Sequence, residues 1–196
     1  MHPNPKWQEI LSLFDALIAE YAAYKSRNLS GLSAEQVQFS SEVEKRLWQM
    51  RWSILQISEM QLAANAAHMQ TVFMAFSDTK AADTLLEEAM HITGILELLT
   101  EAFYFVGWRT VLALRLLPGL KNFESVGMRD VRNRIIEHPD KPSGIVNQQF
   151  SVGRVDEGEG PRLKGAPPGE TRFLDNGLLA NAKEFADRLL PRLKAN

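Results

Sequence analysis

The chain contains no cysteine. That excludes disulfide scaffolds, thiolate zinc sites, iron–sulfur ligation and thiol catalysis. Proline and glycine are absent from Leu32 to Thr93, so nothing there breaks a helix. The most apolar stretch, Ala102 to Leu117, is interrupted by Arg109 and Arg115 and falls short of the roughly 18–20 apolar residues of a membrane span. The start of the chain, Met-His-Pro-Asn-Pro-Lys, has no basic region followed by an apolar one. A cytoplasmic protein with no membrane partner is therefore expected. No G-x-S-x-G, Walker A or G-x-G-x-x-G pattern occurs, which removes the nucleophile elbow and the glycine-rich phosphate loops.

What remains is the composition of a globular protein. Of 196 residues, 45% are hydrophobic and 23% charged, enough apolar surface to offset chain entropy and build one core. A net charge of −2 does not make the whole chain a binder of polyanions. The charge is uneven, however. Residues 1–100 hold 7 Lys+Arg against 12 Asp+Glu, whereas Gly107 to Arg134 holds six Arg/Lys and two acids. An anionic ligand is expected on that second stretch.

The apolar spacing predicts helices. Ile10, Leu11, Phe14, Leu17, Ile18 and Tyr21 lie on one face of a helix over about Lys6 to Arg27, with a stop at Asn28 to Gly31. Ser33 and Gln36 form a capping box for a long helix, about Ala34 to Phe76. Val43, Leu47, Met50, Ile54 and Ile57 make one stripe on it, and Trp48, Leu55, Leu62, Met69 and Phe76 a second. Two stripes imply more than one partner helix. Ser77-Asp78-Thr79 breaks and caps. A third helix follows, about Lys80 to Leu117, its second half apolar nearly all round and so expected to be buried in a bundle or an oligomer interface. Pro118-Gly119 ends it.

A short fourth helix is expected over about Val126 to Glu137, with Ser125 as N-cap and Pro139 as terminator. Residues 140–175 are rich in glycine and proline. Gln149 to Val155 alternates like a strand, and Arg162 to Lys164 is placed to pair back, giving a small hairpin. A last helix, about Leu178 to Leu193, opens at Asp175-Asn176-Gly177. The expected architecture is all-α: a helical bundle over 1–140, an irregular excursion with a short β-hairpin over 141–175, and a C-terminal helix over 176–196 packing on the same domain. The apolar third helix makes a homodimer the expected assembly.

The chemically suggestive stretch is Arg129-Asp130-Val131-Arg132-Asn133-Arg134-Ile135-Ile136-Glu137-His138. Histidine exchanges a proton near neutral pH. Arginine presents a planar fork of donors to phosphate. Together they suit attack of a ribose 2′-hydroxyl on the adjacent phosphate: the histidine moves the proton and the arginine stabilises charge on the phosphoryl oxygens. Such chemistry needs no metal and no cofactor.

Arg132-Asn133, four residues, then His138 resembles the R-x(4–6)-H motif of HEPN (higher eukaryotes and prokaryotes nucleotide-binding) domains. The resemblance covers the helical part, about residues 5–140, and rests on that one motif. HEPN domains are small all-α bundles, commonly dimeric, with the motif near the dimer interface. Many are metal-independent RNases of toxin–antitoxin and defence systems; others bind nucleotides or partners without turnover. The resemblance implies that His138 is the general acid/base, Arg132 the phosphate stabiliser and Asn133 an orienting hydrogen-bonder, with Arg129 and Arg134 as auxiliary phosphate contacts. RNA or a nucleotide is the implied partner.

A second reading stays open. Arg132, Arg134 and His138 also complement the C-terminal dipole of a helix, with Asp130 and Glu137 as their pairs. The chain is then a non-catalytic helical module that binds a protein partner. Glu88 and His91 form an E-x-x-H pair, but a di-iron bundle needs a second one and none occurs, so no metal site is expected. His68 falls on the seam of the second helix, and His2 lies in the terminal segment. Trp48, Trp52, Phe103, Tyr104 and Trp108 read as core rather than as a stacking platform.

Overall fold

The computed structural model describes residues 5–74, 78–137 and 174–196, without the side chains at positions 68, 79, 133–137 and 174–176. Among these residues five α-helices run in order, α1 (Pro5–Asn28), α2 (Ala34–Met74), α3 (Thr79–Leu114), α4 (Val126–Glu137) and α5 (Leu174–Ala195), with a 3-10 turn at Leu29–Gly31. The described residues contain no strand. The expected hairpin over 149–164 lies outside them.

The helix boundaries have local causes. Gln36 donates its backbone N–H to Ser33 Oγ, and Ser33 donates its own to Gln36 Oε1. This reciprocal capping box starts α2. The Asp78 carboxylate accepts from the backbone N–H groups of Lys80 and Ala81 and starts α3. The expected end of α3 at Leu117 is corrected to Leu114. The amides of Leu116 and Leu117 bond to Ala113 and Leu114, an i−3 pattern that tightens the last turn out of the α-helix. Helix α5 begins a turn earlier than expected, running through Asp175-Asn176-Gly177.

α2 and α3 form a long antiparallel hairpin, and α1, α4 and α5 pack around one end of it. α1 lies against α2 and α5; α4 lies against α3 and α5. Trp7, Phe14, Leu17 and Tyr21 of α1 meet Leu47, Met50 and Ile54 of α2, Phe103, Val111 and Leu114 of α3, and Phe185 and Leu189 of α5 in one core. Phe14 stacks on Phe185, which in turn takes the edge of Phe123. Polar ties fix the ends. Tyr21 bonds Ser40 at 3.0 Å, and the Tyr24 hydroxyl donates to the carbonyl of Pro118 at 2.8 Å. Burial pushes both phenols above the ordinary tyrosine range, so they stay protonated as donors. Gly119 takes a positive φ of 71°, a conformation glycine adopts without strain, and the Asn196 side chain fills the place of its missing β-carbon.

The far half of the hairpin has a different character. Its buried residues are small: Ala64 and Ala67 on α2, Ala82 and Ala89 on α3. Two helices with alanine seams approach closely but cover little apolar area. By length and composition Lys80–Leu114 is apolar enough to cross a membrane, with 28% of its most apolar window buried; a helix at the centre of a bundle has the same composition.

Two expectations about side chains are corrected here. Trp48 and Trp52 are not core: they are 52% and 55% exposed, and Met69 of the same stripe is also exposed. Of the stripe's described residues, only Leu55 packs against the core; Phe76 lies outside them. The stripe is apolar, but among the described residues no second helix covers it. Likewise the second half of α3 is not buried all round, because Leu112 is half-exposed, as is Leu116 just past the helix end.

Candidate functional site

Helix α4 carries the Arg-Asn…His stretch, and two close approaches hold it in place. Met128 packs where a β-carbon on Gly107 of α3 would stand, its sulfur 2.5 Å from that position, with Met50 of α2 beside it. At its first turn, Gly127 leaves room for Asn181 of α5, whose amide nitrogen donates to the Tyr104 hydroxyl at 2.9 Å. Without side chains at 107 and 127, three helices crowd around α4. Ser125 does not cap α4 with its hydroxyl as expected. It donates instead to Glu184 of α5 at 2.5 Å, and Glu184 is also ion-paired with Arg188 at 2.7 Å.

This packing assigns the faces of α4. Met128 and Val131 are buried and form its core side. Arg129 and Arg132 are three residues apart and neighbours on the helix surface, with Arg132 at the edge of that core side. Arg129 is exposed and Arg132 half-buried. Arg129 Nε pairs with the Asp130 carboxylate at 3.0 Å, and Arg132 has an interaction partner of its own. His138 lies outside the described residues, as do the side chains of Asn133 and Arg134.

More basic groups surround this end. Arg115 donates to the carbonyl of Phe123, pairs with Glu124 and lies 5.7 Å from the Trp108 ring. Arg192 stands over Phe123, also at 5.7 Å. Arg188 donates to the carbonyl of Glu124. The turn between α3 and α4 is thus ringed by its own Arg115 and by two guanidinium groups from α5. Glu88 and His91 are both exposed on α3, and no third ligand joins them among the described residues.

The chain matches no protein-family model, no curated protein and no solved structure. The residues and their placement are therefore the whole basis for a functional reading.

Residues that sequence reasoning passed over are Asn181 and Gly127, which seat α4, and Val72, Leu86 and Met90, which stand exposed on the hairpin. Asn181 leaves no trace in a periodicity count because its contact is 77 residues away in sequence. The exposed apolar set had a signal: between Arg51 and Arg109 the only Lys or Arg is Lys80.

Proposed function

We propose that the chain is a HEPN-like protein that acts on RNA or a nucleotide through the outward flank of α4. Arg132 faces the phosphate, Arg129 adds a second contact, and Asn133 orients the group. His138, just past the helix end, moves the proton. In the cleaving form the 2′-hydroxyl loses its proton to histidine as its oxygen bonds to phosphorus. The bond to the 5′-oxygen breaks, and that oxygen is protonated as it leaves. The products are a 2′,3′-cyclic phosphate and a 5′-hydroxyl. Two copies pair in this reading, and half-exposed Leu112 and Leu116 at the end of α3 supply apolar surface for the pairing.

One observation carries the reading. Met128 and Val131 take the core side of α4, and two arginines of the motif stretch stand side by side next to it, Arg132 half-buried at the edge and Arg129 exposed. Had Arg129 and Arg132 been split between core and surface, they could not clasp one phosphate. The test is incubation of the purified protein with total RNA in EDTA, beside Arg132→Ala and His138→Ala. Cleavage that is lost in both variants, and blocked by a 2′-deoxy group at the cut, supports the reading. No cleavage and no RNA retention, or cleavage that survives both substitutions, overturns it.

A further inference from the structure

The far half of the α2/α3 hairpin combines three properties. First, its seam is alanine, while larger apolar side chains stand outside: Met69 and Val72, both 43% exposed, on α2, and Leu86 and Met90, 44% and 68% exposed, on α3. Second, three of these side chains share a face. Counting about 100° per residue from the buried alanines, Val72, Leu86 and Met90 turn the same way out of the seam of two antiparallel helices, with Met69 farther round on the back of α2. Asp83, Glu97 and Glu101 fall on that side of α3 by the same count.

Third, the arm's charge is one-signed and uncompensated. Between Arg51 and Arg109 there are seven acids and one Lys. Among the described residues none of these carboxylates is ion-paired. In the other half of the molecule Glu44 pairs with Lys25, Glu20 with Arg27, Asp15 with Arg51 and Glu124 with Arg115. Glu97 shows the consequence. Burial, and then the charge of Glu101, hold its carboxyl above the usual range.

We propose that this face docks a basic amphipathic helix from another protein, which lies along the hairpin and turns it into a three-helix bundle. The apolar side of that helix would cover Val72, Leu86 and Met90. Methionine suits such a surface because its flexible thioether adapts to the incoming side chain. The lysines or arginines would run along one flank only, the α3 side, where Asp83, Glu97 and Glu101 wait. From Asp83 to Glu101 the groove is about 27 Å long, so the bound helix has about 18 residues. A second copy of the arm is a poor occupant, since it would set acids against acids. A polyanion is repelled for the same reason. This inference does not depend on the chemistry proposed for α4.

The probe is a fluorescent 18-residue Leu/Lys peptide designed as an amphipathic helix, titrated into the full chain and followed by anisotropy. Its counterparts are a Leu/Glu helix and a scrambled Leu/Lys sequence. Expected is saturable one-to-one binding of the Leu/Lys helix alone. Leu86→Ser, Met90→Ser and Glu97→Gln should each weaken it about tenfold, as central anchors of an interface do. Leu98→Ser and Glu88→Gln, which lie off this face, should leave it unchanged. Equal losses at Leu98 or Glu88, or equal binding of the scrambled peptide, would reduce the effect to bulk charge and overturn the proposal. So would no binding at all. Light scattering covers the remaining occupant: a dimer abolished by Leu86→Ser and Met90→Ser would make a second copy the partner instead.

Discussion

Asn181 of α5 fills the space that a β-carbon on Gly127 of α4 would take. It cannot simply swing away, because its amide nitrogen is bonded to the Tyr104 hydroxyl of α3. Gly127→Ala therefore forces either a shift of α4 or loss of that hydrogen bond. The expected cost is about 1–3 kcal/mol, the range for overpacking, and urea unfolding measures it. In an Asn181→Ala background the same substitution should cost much less, because the obstruction is gone. A double-mutant cycle reads the difference as coupling. Additive effects would mean that α4 is seated by something other than this contact.

Asp78 holds the tip of the hairpin through two hydrogen bonds to the first turn of α3. Asp78→Ala should cost about 1 kcal/mol of helix-end stability. Because the far half of the hairpin is sealed only by alanines, the loss should appear there first. Amide exchange should speed up in the first turns of α3 and the last turns of α2. Phe103, Val111 and Leu114, in the core, should keep their protection. Uniform acceleration would show that the two halves unfold together.

The fold was legible where its causes are local. Ser33, Gln36 and Asp78 mark helix starts by chemistry that acts within three residues, and the stripe from Val43 to Ile57 is buried as its spacing predicts. The stripe through Trp48 and Met69 misled for a physical reason: periodicity shows that a face is apolar, not whether the same chain carries the element that covers it. Ser125 illustrates the same limit, since a capping hydroxyl and one that reaches Glu184, 59 residues on, look alike in sequence. At the candidate site, the grouping of Arg129 with Arg132 follows from helical spacing alone. What holds that face outward, Gly107 against Met128 and Gly127 against Asn181, is tertiary and leaves no pattern.

Glu97 gives the arm a pH dependence. Its carboxyl is raised by burial and by Glu101, so the folded arm holds a proton that the unfolded chain has released. Stability from this group is present at low pH and is lost as pH rises through the raised value. Glu97→Gln should flatten that decline and leave the arm more stable at neutral pH. Amide exchange in α3 across the carboxylate range and up to neutrality checks the sign. A variant whose arm becomes less stable at neutral pH would mean that the Glu97 carboxylate is favourably held.

Arg129 and its neighbour Asp130 should act on RNA with opposite signs. Arg129 is exposed, and its pair with Asp130 is of a kind that contributes about 0–1 kcal/mol, so a phosphate can compete for the guanidinium. Arg129→Gln should weaken retention of single-stranded RNA and lower the salt slope by about 0.7 for the phosphate contact removed. Asp130→Asn should do the reverse, because it removes a negative charge beside the same phosphate and releases Arg129 to it. Filter binding across a salt series measures both. Substitutions that conserve size isolate the charge, and the Glu97→Gln variant, altered on the arm, should match the parent. Equal losses at 129 and 130 would mean that RNA senses the integrity of the helix rather than its charge, and α4 would cease to be the seat of binding.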